Sequence, residues 1–315
     1  MADMRWLADP SERSVRQALA AAAPALARAR IEIATDLDTS NPEWASSTAV
    51  VDGAFVVKFA WSEQAATRVH REARLLEAIP QVADVPVPRL AGTSDDPVAF
   101  VTRLVRGRPL GFQDVRLAGR ESRRLMAEQL GSFLARLHEP RVLDAAQAVA
   151  PLVPPRPQGR TDEIRTRLGS FLDPTRMRRV EDWCDWVDAV LGRSGPRPVL
   201  VHGDLHGYNQ VWHPGRWALK LVADFEVAGP SDPEYDFRYF PSQDVTLEFV
   251  SAIRDAYGAL SGRTIEMDRV LAWHIRTALG DALWRSEAGI PLPDGGTPAT
   301  YVDDIASKLE PCGRV

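Results

Sequence analysis

Asp204, Asn209 and Asp224 are the residues of this chain whose types and spacing could do chemistry together. The first two lie in His202-Gly203-Asp204-Leu205-His206-Gly207-Tyr208-Asn209; the third opens Asp224-Phe225-Glu226, after a short strand, a His213-Pro214-Gly215 turn and a returning strand. A carboxylate to orient an acceptor hydroxyl, with a carboxamide and a second carboxylate to hold Mg²⁺ on nucleotide phosphates, is what phosphoryl transfer needs. Asp204 would face the acceptor, and Asn209 and Asp224 the metal. Two other readings compete. Each residue alone could be an ordinary turn or strand-end residue, and His202, Asp204, His206 and His213 could form a transition-metal set. The metal set has no distant ligand to complete it and leaves Asn209 and Asp224 without a task.

A lysine far upstream adds independent support. Lysine is scarce among the 38 basic residues, occurring only at 58, 220 and 308, so Lys58 stands out. Strand alternation in Ala54-Phe55-Val56-Val57-Lys58-Phe59 puts Ala54, Val56 and Lys58 on one face, where an ammonium beside small apolar groups suits an adenine and its phosphates. Glu72, on the next helix, is placed to orient that ammonium. Lys58 could instead be a solvated edge residue, and Glu72 part of a charged face with Arg68 and Arg71. The downstream triad favours the functional reading.

The elements that must position these residues are legible in outline. Ala-rich residues 11–30 read as a helix interrupted at Pro24. Two β-rich runs flank Asp52-Gly53, a hairpin signal. Ser62 caps a helix expected to stop at Pro80. Strands are expected around Val87-Pro88-Arg89-Leu90 and Val98-Ala99-Phe100-Val101-Thr102, then a long helix over about 121–138. Residues 139–160 read as a proline-rich connection, and Val199-Leu200-Val201 as the strand that delivers Asp204.

Length and composition bound the function classes. At 315 residues, two domains or lobes are expected. With 45% hydrophobic and 26% charged residues the chain is neither disordered, collagen-like nor disulfide-stapled. Two cysteines, Cys184 and Cys312, without C-x-x-C spacing fit a reducing cytoplasm. The first residues have no apolar signal region and no run suffices for a membrane span, so a soluble cytoplasmic protein is expected. The net charge of −5 speaks against bulk binding to nucleic acid or anionic membrane. The charge is uneven: residues 224–315 carry 16 acidic and 8 basic side chains, net −8.

The motifs together resemble the aminoglycoside phosphotransferase and related antibiotic-kinase family, whose fold is like that of protein kinases. They are His202-Gly-Asp204-Leu-His-x-x-Asn209, Asp224-Phe-Glu226 and Asp232-Pro-x-Tyr235-Asp236. The Asp-x₄-Asn interval is that of the protein-kinase catalytic loop, and Asp-Phe-x after a short hairpin matches its metal-binding Asp. The resemblance covers about residues 36–240. It implies an α+β, bilobal fold: a strand-rich nucleotide lobe over residues 1–104 and a mostly helical catalytic and substrate lobe over 105–315. It implies Asp204 as catalytic base, Asn209 and Asp224 as Mg²⁺ ligands, Lys58 on the phosphates of ATP or GTP, and Glu72 holding Lys58. Arg103 and Val105 would meet adenine at the hinge, and His202 and Asp236 would brace the catalytic loop and larger lobe.

The chain also departs from the family pattern. The expected phosphate loop, about 38–47, contains no glycine, so Ser46 and Ser47 would offer hydroxyls and N–H groups instead. The usual glycine before Asp232 is Ser231, and the triplet is Asp-Phe-Glu rather than Asp-Phe-Gly. No Ala-Pro-Glu segment closes an activation loop, which argues against a protein substrate. The expected function is transfer of a nucleotide γ-phosphate to a hydroxyl of a small cationic, aminoglycoside-like antibiotic, conferring resistance, with no obligate protein partner. The acid excess after Asp224 suggests Glu234, Asp281 and Glu287 as carboxylates for its ammonium groups. Alternatives are a metabolic kinase for choline, homoserine, an amino sugar or a ketosamine, and a catalytically silent kinase-like binding module.

Overall fold

The computed structural model describes residues 11–33, 45–111, 113–157, 159–243, 246–292 and 295–309. Most of the glycine-free loop at 38–47, and Cys312, lie outside the described residues. Contacts divide the chain into two compact units. One comprises the described residues of Met1–Leu110, Glu139–Val153 and Tyr208–Ala228; the other comprises Gly111–His138, Pro154–Gly207 and Gly229–Val315.

The first unit is built on a five-stranded antiparallel sheet of β1 (Ile31–Ile33), β2 (Ser46–Val51), β3 (Phe55–Ala60), β4 (Leu90–Asp95) and β5 (Val98–Arg103), in the order β1-β2-β3-β5-β4. The β2–β3 turn is the expected one: Asp52 and Gly53 have φ of 50° and 60°, the left-handed pair that a tight hairpin demands. Helix α1 (Glu12–Ala22) is capped by the Ser11 side chain and ends before Pro24, where a single 3-10 turn follows. Helix α2 (Glu63–Val82) begins where Ser62 accepts from the Ala65 N–H, and it carries Glu72. It runs two residues past the expected stop, because Pro80 falls in its last turn, where little helix remains to be disrupted. The strand expected at 87–90 forms instead over 90–95; Pro86 and Pro88 lack the N–H groups a ladder needs.

Within residues 139–160 the expected connection gives way to helix α5 (Pro140–Val149), since Pro140 stands at the first helical position, where its missing donor costs nothing. Helix α5 packs on α2. The core beneath the sheet includes Val15, Leu19, Val51, Val57, Phe59, Trp61 and Val101. The unit is completed by the hairpin of β7 (Gln210–Trp212) and β8 (Leu219–Val222), joined to the chain near Arg108 through bonds with Trp212.

The second unit is largely helical. It holds α3 (Asp114–Leu117), α4 (Arg120–Leu137), α6 (Thr161–Arg167), α7 (Pro174–Leu191), α8 (Glu248–Ser261), α9 (Met267–Ala288) and α10 (Pro298–Leu309). Strand β6 (Val199–Val201) pairs antiparallel with β9 (Gly229–Ser231). Helix α4 packs closely on α8, where a Cβ at Gly131 would lie 2.6 Å from the Ala256 Cβ. An edge-on aromatic chain of Phe249, Phe240, Phe237 and Tyr257 fills the core beside it. Among the described residues no helix is long and apolar enough to cross a membrane.

Candidate active site

In the first unit, β3 and α2 bring Lys58 and Glu72 together. Lys58 Nζ donates to Glu72 Oε2 at 2.7 Å, to Asp224 Oδ1 at 2.8 Å and to Glu226 Oε2 at 2.8 Å. Strand alternation explains the placement: Val57 and Phe59 enter the core, so Lys58 leaves from the other face. Burial by itself would lower the Lys58 pKa, but Glu72, Asp224 and Glu226 together hold it well above the ordinary lysine value. Burial pushes the Glu72 carboxyl up, opposed by Lys58. Glu72 Oε1 also accepts from the Phe225 N–H at 3.0 Å.

Asp224 and Asn209 lie at the end of the β7–β8 ladder. Gln210 pairs with Val222, and the Ala223 N–H donates to the Asn209 carbonyl at 2.8 Å, so the two side chains start from adjacent backbone. Asp224 has φ 70°, a left-handed conformation that a short polar side chain tolerates and that re-aims the carboxylate as the strand ends. A carboxamide and a carboxylate projecting from adjacent backbone offer hard-oxygen donors of the kind that Mg²⁺ takes. Among the described residues the group of three carboxylates or imidazoles close enough to share an ion is Glu72, Asp224 and Glu226. The histidine set raised from sequence does not appear in that role: His202 Nδ1 accepts from the Asp204 N–H at 3.1 Å, turned onto its own loop.

The remaining nucleotide-contact candidates are also in this unit. Ser46 and Ser47 lie in β2, and the Ser47 hydroxyl is buried, accepting from Trp61 Nε1 at 2.6 Å. That leaves Ser46 as the hydroxyl nearer to solvent. The Arg103 N–H is engaged by Arg89 O at 3.2 Å, and that of Leu104 by Ala54 O at 2.9 Å; Val105, half-buried, follows at once.

The second unit holds Asp204. Strand β6 delivers the loop, and Gly203, at φ 85°, makes the sharp turn before it. The Tyr239 hydroxyl donates to Asp204 Oδ1 at 2.7 Å, His206 Nε2 stands 3.3 Å from Oδ2, and Arg238 Nη2 is 3.8 Å from Oδ1. Burial disfavours the charge, yet His206, Arg238 and Tyr239 outweigh it and hold the Asp204 carboxyl far below the usual carboxylate range. Asp204 is therefore ionised.

Beneath it, buried Asp236 accepts from the His202 N–H at 2.8 Å, the Gly203 N–H at 2.9 Å and His138 Nε2 at 3.1 Å. Arg238 lies between the rings of Tyr235 and Tyr239 and donates to Gly203 O at 2.6 Å. Sequence reasoning missed Tyr239, Arg238, His138 and Glu226. A signal for the first two was the run after Asp236, Asp236-Phe-Arg238-Tyr239, in which a cation and a phenol follow a buried carboxylate.

The carboxylates proposed for an acceptor's ammonium groups are engaged elsewhere. Glu287 is held in a two-pronged pair by Arg167, Asp281 accepts from Arg285 at 3.0 Å, and Glu234 is buried, accepting from the Glu266 N–H at 3.2 Å. Arg167 comes from residues before Asp224, so the acid excess of the last segment is partly neutralised from outside it.

Residues 34–273 match the phosphotransferase enzyme family, APH, and the chain belongs to it. Its fold is protein-kinase-like, as three solved structures show. The GDP complex of wild-type aminoglycoside 2'-phosphotransferase-IIIa aligns at a TM-score of 0.71 and 19% identity, over 96% of this chain and 99% of the other. The streptomycin–ATP–APH(2")-IIa ternary complex aligns at 0.59 and 17%, over 96% and 97%. Macrolide 2'-phosphotransferase MphH from Brachybacterium faecium, as apoenzyme, aligns at 0.58 and 20%, over 95% and 97%.

Proposed function

We propose that this protein transfers the γ-phosphate of ATP or GTP to a hydroxyl of a small-molecule antibiotic, and so confers resistance to it. The observation that carries the reading is the half-buried Lys58 ammonium bound to both Glu72 and Asp224, in a member of a phosphotransferase family. Residues 1–104 would serve as the nucleotide lobe, with the β7–β8 hairpin packed beside them, and 105–315 as the catalytic and acceptor lobe. Lys58 draws on the nucleotide phosphates while Glu72 fixes its position. Ser46 and the backbone at Arg103 and Val105 are the further nucleotide contacts. Asn209 and Asp224 would hold Mg²⁺, which when bound neutralises charge on the β- and γ-phosphates.

Asp204, kept ionised by His206, Arg238 and the Tyr239 hydroxyl, is a weak base. Such a group suits a loose transfer, in which the acceptor hydroxyl must be oriented first and gives up its proton late. Asp236, through His202 and Gly203, fixes the backbone from which Asp204 projects. The cytoplasm, where ATP and GTP are made, is the compartment this activity requires.

A cationic, aminoglycoside-like acceptor is the first reading, supported by the net −8 of residues 224–315 and by fold similarity to aminoglycoside phosphotransferases. A neutral, macrolide-like acceptor is the second. It is favoured by the pairing of Asp281 and Glu287 with arginines and by the similarity to MphH. The test is a phosphorylation screen with ATP and GTP over aminoglycosides, macrolides, tuberactinomycins and metabolic amino alcohols, read by nucleoside diphosphate release and by the mass of a phosphorylated product. One antibiotic class phosphorylated, with an Mg²⁺-dependent thermal shift on adding nucleotide, supports the proposal. Turnover confined to amino alcohols would make it a metabolic kinase, and no shift with either nucleotide would make it a silent module.

A further inference from the structure

The Lys58 ammonium has three N–H donors, and each meets a carboxylate: Glu72, Asp224 and Glu226. No donor remains for a phosphate. For Lys58 to reach a nucleotide, as the proposed function requires, one carboxylate must let go. The three differ in how firmly they are held. The Glu72 and Glu226 side chains are 3% and 11% exposed, and Asp224 is 36% exposed. Glu72 is fixed from its other oxygen by the Phe225 N–H. Glu226 faces Arg68 Nη1 at 3.5 Å through its other oxygen, and its main-chain carbonyl accepts from Arg71 Nη2. Asp224 is the most exposed of the three and also the proposed metal ligand, so it is the partner that Lys58 would release.

We propose that Glu226 is a positioning residue: with Glu72 it forms the pair of buried anchors on which Lys58 rests once Asp224 is released, leaving the third N–H for a phosphate oxygen. Arg68 lies on α2, so the Glu226 side chain also ties that helix to the 224–226 triplet, beside the Arg71 bond to its main-chain carbonyl. A glycine in its place would have no side chain to do so. Without the Glu226 charge the ammonium would lean more on Asp224 and compete there with the metal. The inference rests on the proposed nucleotide chemistry.

The test measures binding of ATP, and of GTP if ATP does not bind, by isothermal titration across a range of Mg²⁺ concentrations. It compares the wild type, Glu226→Gln, Lys58→Ala and the double variant, with thermal midpoints alongside. Losing one charge-assisted anchor should weaken ATP binding about tenfold in Glu226→Gln. The Mg²⁺ needed for half-saturation should rise, and the acceptor KM should stay unchanged. With Lys58 already removed, the Glu226 change should add nothing, since its effect passes through the lysine.

Unchanged ATP affinity and Mg²⁺ requirement in Glu226→Gln would overturn the inference. So would an equal loss with and without Lys58, which would leave Glu226 as a mere support for α2. Glu226→Asp keeps the charge one methylene short, and the same non-additivity with Lys58→Ala is required of it if the Gln variant fails to fold. A wild type that binds neither ATP nor GTP would overturn the proposed function and this inference with it, whereas wild-type binding that Glu226→Gln does not alter overturns this inference alone.

Discussion

Asp236→Asn should damage both stability and turnover, by an amount that can be worked out from the three bonds the residue accepts. Its carboxylate takes the His202 N–H and His138 Nε2 on Oδ2 and the Gly203 N–H on Oδ1, all buried. An amide of the same shape keeps one accepting oxygen. If that oxygen stays on His202 and His138, the new NH₂ group faces the Gly203 N–H, and two buried donors are left unmatched. Orphaned buried donors cost about 1–3 kcal/mol each, and breaking a buried charged set typically costs about 3–5 kcal/mol. Against a total stability of about 5–15 kcal/mol this is a large fraction, and the midpoint should fall by about 6–15 °C.

The pH dependence gives the claim its sign. Burial works to raise the Asp236 pKa, but His138, His202 and the Gly203 N–H hold it below the ordinary value, so the folded-state pKa is depressed. Such a group contributes its stability above the unfolded value of about 3.9 and loses it as pH falls through the folded value. The gap in midpoint between wild type and Asp236→Asn should thus persist from neutral pH to about pH 5 and close only below about pH 4. Differential scanning calorimetry across that range measures it. Turnover should fall about 10²-fold, because Gly203 precedes Asp204 and a small misplacement of a catalytic group is that costly. A variant within 1–2 °C of wild type at pH 7, well inside the shift worked above, would refute the bracing role. So would a gap that widened on acidification.

Asp204→Ala should lower kcat by about 10²–10⁴-fold with nucleotide affinity intact, and retention of more than about a tenth of the activity would remove it from the base role. Asp224→Asn should abolish the Mg²⁺-dependent part of nucleotide binding in isothermal titration, since a neutral amide is a poorer partner for a divalent ion. Lys58→Ala should raise the KM for nucleotide more than that for acceptor, and equal effects would indicate a folding defect instead. If the acceptor is cationic, its kcat/KM should fall as salt shortens the Debye length from ~10 Å at 0.1 M towards ~3 Å at 1 M, with the nucleotide KM moving less. Indifference to salt would favour the neutral acceptor.

What was legible in the sequence was whatever is encoded locally. The Asp52-Gly53 turn, the Ser62 cap and the break at Pro24 each depend on the conformational preferences of one or two residues, and each formed as expected. Proline counting misled where position within an element matters more than number, as at Pro140 opening α5 and Pro80 inside the last turn of α2. The same division runs through the site. Lys58 and Glu72 form one closely spaced pair, 14 residues apart, and Asp204, Asn209 and Asp224 a second closely spaced group, so spacing within each group could nominate its members. His138 and Asp236 are 98 residues apart, and Arg68 and Glu226 are 158 apart. No spacing rule joins either pair, because their contact exists only once distant segments have packed.

Charge behaved in the same way. The net −8 of the last segment was a true count, but Arg167 reaches Glu287 from outside that segment. A sum along the chain therefore overstates how much negative charge an acceptor would meet. A paired carboxylate offers an arriving ammonium only what remains after its arginine is displaced or shared. An acceptor that used Asp281 or Glu287 would thus have to bring more binding energy than charge alone supplies.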